Sequence, residues 1–226
     1  MRLTYYGHSC FAVEVEGKTI LFDPWIMQNP LAKNIDINSI SPDYIFLSHG
    51  HGDHVADALS IAKRTNATCV APAEISYWLE RENVEKVHGM NHGGPIKFEF
   101  GKIRGVNAVH SSSLPDGSYA GNPMGFVFTT EKANFYYSGD TALTLDMRLI
   151  PQWAKLDFAV LPIGGNFTMD VADAIRAADF VQCNKIVGVH YNTFPPIVID
   201  KEKAIKDFKA AGKTLLLPEI GETINV

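Results

Sequence analysis

His49-Gly50-His51-Gly52-Asp53-His54 packs four residues able to offer a lone pair to a metal into six positions. On extended backbone, period-two geometry puts the His49 and His51 imidazoles on one side. Asp53 continues that register, and His54 begins the next turn of chain. The two glycines relieve crowding and permit backbone angles that bulkier residues resist. Just upstream, the apolar run at 44–47, introduced by Ser41-Pro42-Asp43, reads as a strand. Just downstream, Val55, Leu59 and Ala62 recur at helical spacing through Lys63. A strand feeding a ligand-rich loop that opens a helix is a way for a rigid scaffold to present chemistry.

The flanking pattern extends this unit. Short strand-like runs occupy 3–6, 11–15 and 19–22, with Glu16-Gly17-Lys18 turning a hairpin between two of them. A helix over 74–81 aligns Ile75, Trp78 and Leu79, and strand character returns at 96–100, 103–109, 125–129 and 134–137. The second half alternates: strand 158–161, helix 170–182, strand 186–189, helix 200–211 and a last strand at 214–217. Both halves place hairpin strands before helix–strand units, although no sequence repeat is discernible. That order, without a low-complexity linker, predicts one α/β domain over 1–226, with two sheets packed together and helices outside.

One regularity locates the function. Asp23, His49, His110, Asp140 and His190 each fall at or just beyond the end of an apolar run, and Asn166 trails the run at 158–161. Strands that end in ligand-type residues can aim them at a shared mouth. His49, His51, Asp53, His54, His110, Asp140 and His190 are too many for one open site, since catalytic zinc typically takes three protein ligands and water. Two divalent ions sharing Asp140 and a bridging hydroxide account for all of them. Imidazole and carboxylate suit Zn2+ first, with Mn2+ or Fe2+ as alternatives.

Composition narrows the partners. A chain of 226 residues buries roughly three quarters of the surface its unfolded form exposes, enough to hold polar ligands rigidly. A formal charge of −5, with no basic cluster interleaved with aromatics, argues against nucleic acid. Cys10, Cys69 and Cys183 lack metal-site spacing and read as buried reduced thiols, which points to the cytoplasm. No apolar stretch approaches the length of a membrane span or of a secretory leader. Gly17-Lys18-Thr19 and Gly212-Lys213-Thr214 lack the earlier glycine of a phosphate loop, because Ala12 and Asp207 stand there. No Gly-x-Ser-x-Gly surrounds the serines at 111–113.

With these residues in hand, the chain resembles the metallo-β-lactamase superfamily, whose HxHxDH motif His49, His51, Asp53 and His54 match in every position. His110, Asp140 within Ser138-Gly139-Asp140-Thr141, and His190 follow in the family's order. Gly7-His8-Ser9-Cys10-Phe11, Asp23-Pro24-Trp25, the stretch 162–169 and His190-Tyr191-Asn192-Thr193-Phe194-Pro195 are similar to small prokaryotic metal-dependent hydrolases. Their relatives include ascorbate-6-phosphate lactonase and N-acylphosphatidylethanolamine phospholipase D.

The resemblance implies a four-layer αβ/βα sandwich, two mixed sheets face to face with helices outside. It also implies a hydrolase that cleaves an ester, lactone or phosphoester of a small or amphiphilic molecule with a metal-bridging hydroxide. His49, His51 and His110 would bind one ion and Asp53, His54 and His190 the other, with Asp140 shared. Asp23 would support a metal-bound histidine, the plainer reading being a turn residue before Pro24. His8 would bind substrate or donate a proton at the rim, or else be a buried histidine satisfied by backbone. Asn166 is a candidate substrate contact, whereas Thr168 reads as a helix cap and Met169 as packing. His88 and His92 read as solvated loop residues. Two alternatives stay open: iron-dependent redox chemistry of the dioxygenase type, and a non-catalytic metal or ligand sensor.

Overall fold

The computed structural model describes residues 1–226. Alternating apolar residues make β1 (Arg2–Gly7), β2 (Cys10–Val15) and β3 (Lys18–Phe22) an antiparallel meander. Glu16 and Gly17 turn the second hairpin with φ of +47° and +79°, the positive pair that a two-residue turn matching strand twist needs. Parallel additions follow: β4 (Tyr44–Phe46), then α1 (Gly52–Val55) and α2 (Ala58–Thr65), then β5 (Thr68–Pro72). From there α3 (Ala73–Arg81) leads to β6 (Val87–Met90), which is again parallel.

The second sheet repeats that plan. β7 (Ile96–Phe98), β8 (Gly101–Asn107), β9 (Met124–Thr129) and β10 (Phe135–Tyr137) form the meander. A 3-10 helix over Leu145–Gln152 leads to β11 (Phe158–Pro162), α4 (Val171–Phe180) to β12 (Lys185–Val189), and α5 (Lys201–Ala210) to β13 (Thr214–Leu216). β10 through β13 are parallel neighbours. Finally β14 (Thr223–Asn225) returns to the first sheet and pairs antiparallel with β1. The two seven-stranded sheets run β14-β1-β2-β3-β4-β5-β6 and β13-β12-β11-β10-β9-β8-β7.

Three apolar clusters separate the layers, as a four-layer sandwich requires. The central one joins the inner faces through Phe11, Phe22, Phe46, Phe128, Phe135 and Tyr137, all fully buried. Its rings stack or meet edge to face at centroid distances such as 4.6 Å for Phe11–Phe22 and 4.3 Å for Phe128–Phe135. Such pairs add about 0.5–1.5 kcal/mol each beyond their area. A second cluster packs α1, α2 and α3 on the outer face of the first sheet, and a third packs α4 and α5 on the second. Cys10, Cys69 and Cys183 lie buried in these two. No helix is long and apolar enough to cross a membrane.

The four-layer α/β architecture expected from the sequence is the one observed, with local differences. The helix expected through Lys63 is two: α1 ends at Val55, and Asp57 begins α2 after accepting the Ile26 and Met27 amides. The run at 103–109 ends as a strand at Asn107, because the Val109 amide turns away to Thr141 Oγ1. The segment from Val87 is strand β6 rather than loop, so His88 belongs to a sheet edge. Thr168 does not cap α4; Asp170 does, accepting the Asp173 amide.

Candidate metal centre

Functional side chains collect where strand ends of both sheets meet. β1 delivers His8, β3 Asp23 and β4 the 49–54 loop. The second sheet supplies His110 past β8, Asp140 past β10 and His190 past β12. Backbone bonds lock the seam at this level, from the Met124 amide to the Ser48 carbonyl (3.0 Å) and from the His190 amide to the His8 carbonyl (2.9 Å). Gly50 is tightly enclosed, since a Cβ there would stand 2.4 Å from the Ala120 methyl. Gly52, expected to relieve crowding too, has open space around it and simply begins α1.

All seven ligand-type residues read from the sequence lie around one cavity floor. His49, His51 and His110 each place a nitrogen within 4.8 Å of the others, as do donor atoms of Asp53, His54 and His190 together with His8. Asp140 Oδ2 stands between the two groups, 3.0 Å from His190 Nε2, 3.3 Å from His54 Nε2 and 3.7 Å from His110 Nε2. Burial opposes a charge on Asp140, but the His190 and His54 imidazoles outweigh it and hold the carboxyl well below its ordinary range.

Asp23 shows how such a floor is kept in one protonation pattern. It is fully buried, and its Oδ1 accepts the Ser48 amide at 2.7 Å. Its Oδ2 accepts the Ser48 hydroxyl, the Tyr137 hydroxyl and His54 Nδ1–H, the last at 2.8 Å. The proton on His54 Nδ1 leaves a lone pair on Nε2 when the ring is neutral. Because Ser48 Oγ gives its proton to Asp23, it accepts from His49 Nδ1 at 3.0 Å, which frees His49 Nε2 as well. That nitrogen faces His51 Nδ1 across 2.9 Å. With its oxygens committed to four donors, Asp23 is a supporting group rather than an open ligand, although it neighbours His49 and His54.

The floor fits a bound cation. His54 Nε2, Asp140 Oδ1 and His190 Nδ1 are buried without a hydrogen-bond partner. Each orphaned group costs about 1–3 kcal/mol, a cost that coordination to a cation at this floor would remove. Burial lowers His49, His51 and His110 below the usual imidazole range, so all three are neutral and able to coordinate near pH 7.

Two expectations for the rim are corrected. The His8 side chain is fully buried, beneath the floor, with Trp25 at 5.1 Å and His190 at 4.1 Å between ring centroids. Burial lowers His8 to about 4, so the neutral ring donates Nε2–H to Asp53 Oδ2 (3.2 Å) while Nδ1 accepts from Thr193 Oγ1 (3.0 Å). Burial works against the Asp53 charge, yet the His8 bond keeps the carboxyl below its ordinary range. His8 therefore meets Asp53 and Thr193 and does not line the cavity. Asn166 is exposed at φ +58°, but the residue lining the cavity is its neighbour Phe167. Met169 is packed in the core as expected. His92 Nε2–H donates to the Pro123 carbonyl, outside the cavity lining.

The cavity above the floor holds about 520 Å³. Beside the ligand-type residues it is walled by Ser111, Phe167, Phe194 and Pro196. None of these four was singled out as a site residue from the sequence: an apolar residue in a loop carries no local sign that it faces a cavity, and Ser111 stands in no nucleophile motif.

This fold and floor define a class, and comparison with known proteins agrees. The β-lactamase superfamily domain profile matches residues 2–190. The chain belongs to the UPF0173 metal-dependent hydrolases of that superfamily, being 55% identical over the full length of both chains to one from Flavobacterium johnsoniae. A Bacillus cereus relative of the same description is 43% identical, again over both full lengths. Among solved structures, the metallo hydrolase Igni18 from Ignicoccus hospitalis superposes with a TM-score of 0.89 at 36% identity, covering 99% of this chain and 97% of its own. An isothiocyanate hydrolase from Delia radicum gut bacteria shares the fold at TM-score 0.83 and 20% identity, covering 100% and 99%.

Proposed function

We propose that this hydrolase works with two divalent ions, His49, His51 and His110 holding one, Asp53, His54 and His190 the other, and Asp140 lying between them. The observation that carries the reading is the convergence of histidine and aspartate donor atoms from both sheets on one floor, some of them buried without a partner. Zinc fits this donor set first, with manganese or iron as alternatives. Bound ions would supply Lewis acidity, making hydroxide available near neutral pH and polarising the oxygen of the bond under attack.

The chain's own groups prepare that chemistry. Asp23 fixes the His54 ring directly and the His49 ring through Ser48, so both keep Nε2 free. His8 and Thr193 hold Asp53 in place from beneath. The bond cleaved is that of an ester, lactone or phosphoester in a small or amphiphilic molecule that enters the open cavity. Three buried thiols accord with work in the reducing cytoplasm.

The test is His51→Ala with metal content and hydrolysis measured on the same sample. Loss of an ion together with a fall in turnover of several orders of magnitude is expected. Full activity in metal-stripped wild type ends the reading. Thiol-dependent oxygen uptake by iron-loaded protein without ester turnover would move the site to redox chemistry.

A further inference from the structure

The cavity walls carry information that the floor does not. Of its nine lining residues, five are His or Asp of the floor; the others are Ser111, Phe167, Phe194 and Pro196. The two kinds of wall are segregated. Ser111 Oγ sits 3.4 Å from His51 Nε2, beside the first histidine group. Phe194 and Pro196 follow His190 by four and six positions, and the Phe167 loop is tied to Thr141, next to Asp140. One edge of the mouth is therefore polar and the opposite edge aromatic and prolyl.

The aromatic edge is built rigidly. Phe167 is 52% exposed, on a turn where Gly165 (φ +73°) and Asn166 (φ +58°) are both left-handed. The Gly165 amide bonds the Met169 carbonyl and the Met169 amide bonds Thr141, which fixes this turn to the floor. Phe194 is backed by Trp25 at 5.6 Å and His8 at 5.5 Å between centroids, and Pro195-Pro196 stiffens the chain after it. Phe167 and Phe194 thus present apolar faces to the cavity that a bound ligand would cover.

Charge separates the substrate classes. A phosphomonoester or anionic phosphodiester brings oxygens that proteins normally meet with Arg or Lys, and neither is among the lining residues. In the two-ion reading Asp53 and Asp140 are taken up by the ions, so an anionic oxygen would find its partners in the metals alone and none in the walls. An uncharged acyl group demands no such partner and gains from the apolar edge.

Resting on the two-ion hydrolase reading, we infer that the substrate is an uncharged carboxylic ester or lactone with an apolar or aromatic substituent, seated against Phe167, Phe194 and Pro196. Water adds to the acyl carbon, the acyl C–O bond breaks, and a carboxylate, an alcohol and one proton are released. In a lactone the carboxylate and alcohol stay on one molecule.

The experiment has a binding arm and a turnover arm. Binding of N-hexylacetamide, benzamide and phenyl phosphate to metal-free protein is followed by ligand-observed NMR in wild type, Phe167→Ala and Phe194→Ala. The uncharged amides should bind, weakening about tenfold in either variant, and phenyl phosphate should bind more weakly than benzamide. Turnover of 4-nitrophenyl acetate, butyrate, hexanoate and phosphate is then compared in zinc-loaded enzyme. The expected kcat/KM rises at least tenfold from acetate to hexanoate, flattens in Phe167→Ala, and is lowest for phosphate. Tighter or faster handling of the phosphorylated compounds, or amide binding indifferent to both phenylalanines, overturns the inference. Phenylalanine-dependent amide binding with no ester turnover would retain the apolar pocket and refute the hydrolase reading beneath it.

Discussion

Asp23 offers a sharp test of how the floor is organised, through paired Asp23→Asn and Asp23→Ala substitutions. In wild type its Oδ2 faces three donors and its Oδ1 one. An amide has only one oxygen, so two orientations compete. Turning that oxygen toward Ser48 Oγ, Tyr137 and His54 keeps three bonds and sets the amide NH2 against the Ser48 N–H. The reverse orientation keeps one and loses three, so the first prevails. The cost is one lost bond to a charged acceptor, about 1.5–3 kcal/mol, or a Tm fall of roughly 2–4 °C per kcal/mol for a chain of this size. His54 Nδ1–H still has an acceptor, now neutral and about half as strong. Metal affinity should therefore fall about tenfold in Asp23→Asn and about a hundredfold in Asp23→Ala, where nothing holds the ring. Competition against an absorbing chelator gives the affinities, and long-range 1H–15N correlation of the imidazoles gives the tautomers. If Asp23→Ala melts lower yet binds both ions as tightly as wild type, Asp23 is merely a structural hub and the reasoning fails.

Metal loading should depend on pH unequally at the two halves of the floor. His49, His51 and His110 are lowered by burial and bind without first losing a proton, whereas His54 is raised because Asp140 and Asp23 outweigh its burial. Lowering the pH should strip the Asp53–His54–His190 ion first, seen as stoichiometry falling from two to one. In metal-free protein the raised His54 stabilises the fold fully below about pH 6.5 and loses that contribution as pH climbs through its folded value. The lowered histidines act oppositely, losing theirs as pH drops below about 6.5; pH-dependent melting with and without zinc reads both. Gly164→Ala would put a Cβ 2.2 Å from the His190 carbonyl and 2.9 Å from Ile197 Cβ, so it should lower stability by about 1–3 kcal/mol and weaken metal binding through His190. Unchanged chelator competition would show that the 164 loop does not position that ligand. Phe22→Ala removes a ring that meets those of Phe11, Phe46, Phe128, Phe135 and Tyr137, and should cost about 3–5 kcal/mol in guanidinium unfolding.

The layered fold and the seven floor residues were legible because strands alternating apolar and polar residues announce themselves, and a ligand at the end of each marks a common direction. β5 was not, since Thr68-Cys69-Val70-Ala71-Pro72 is short and runs into α3 without a turn. β6 was obscured by His88 and Gly89, and β14 by its three-residue length. Of the two readings of His8, rim group or buried histidine, its burial agrees with the second, although Asp53 and Thr193 rather than backbone satisfy the ring. Whether a strand-end histidine points to solvent or beneath its neighbours is decided by Trp25, Thr193 and Phe194, from distant parts of the chain. The apolar wall escaped notice for a similar reason: Phe167 and Phe194 look like core residues until long-range packing leaves them facing a void.

At the level of the floor the two sheets are fastened by buried bonds from Met124 to Ser48, His190 to His8 and Tyr137 to Asp23, whereas the opposite end is tied by the exposed Tyr44–Glu99 bond and the Lys18–Glu99 and Lys132–Glu16 ion pairs. Solvent and salt weaken exposed bonds more than buried ones, so the far end is the more readily parted of the two. Thermal agitation can thus loosen the aromatic far end, around Tyr44, Phe98 and Phe100, while the geometry that chemistry depends on stays still.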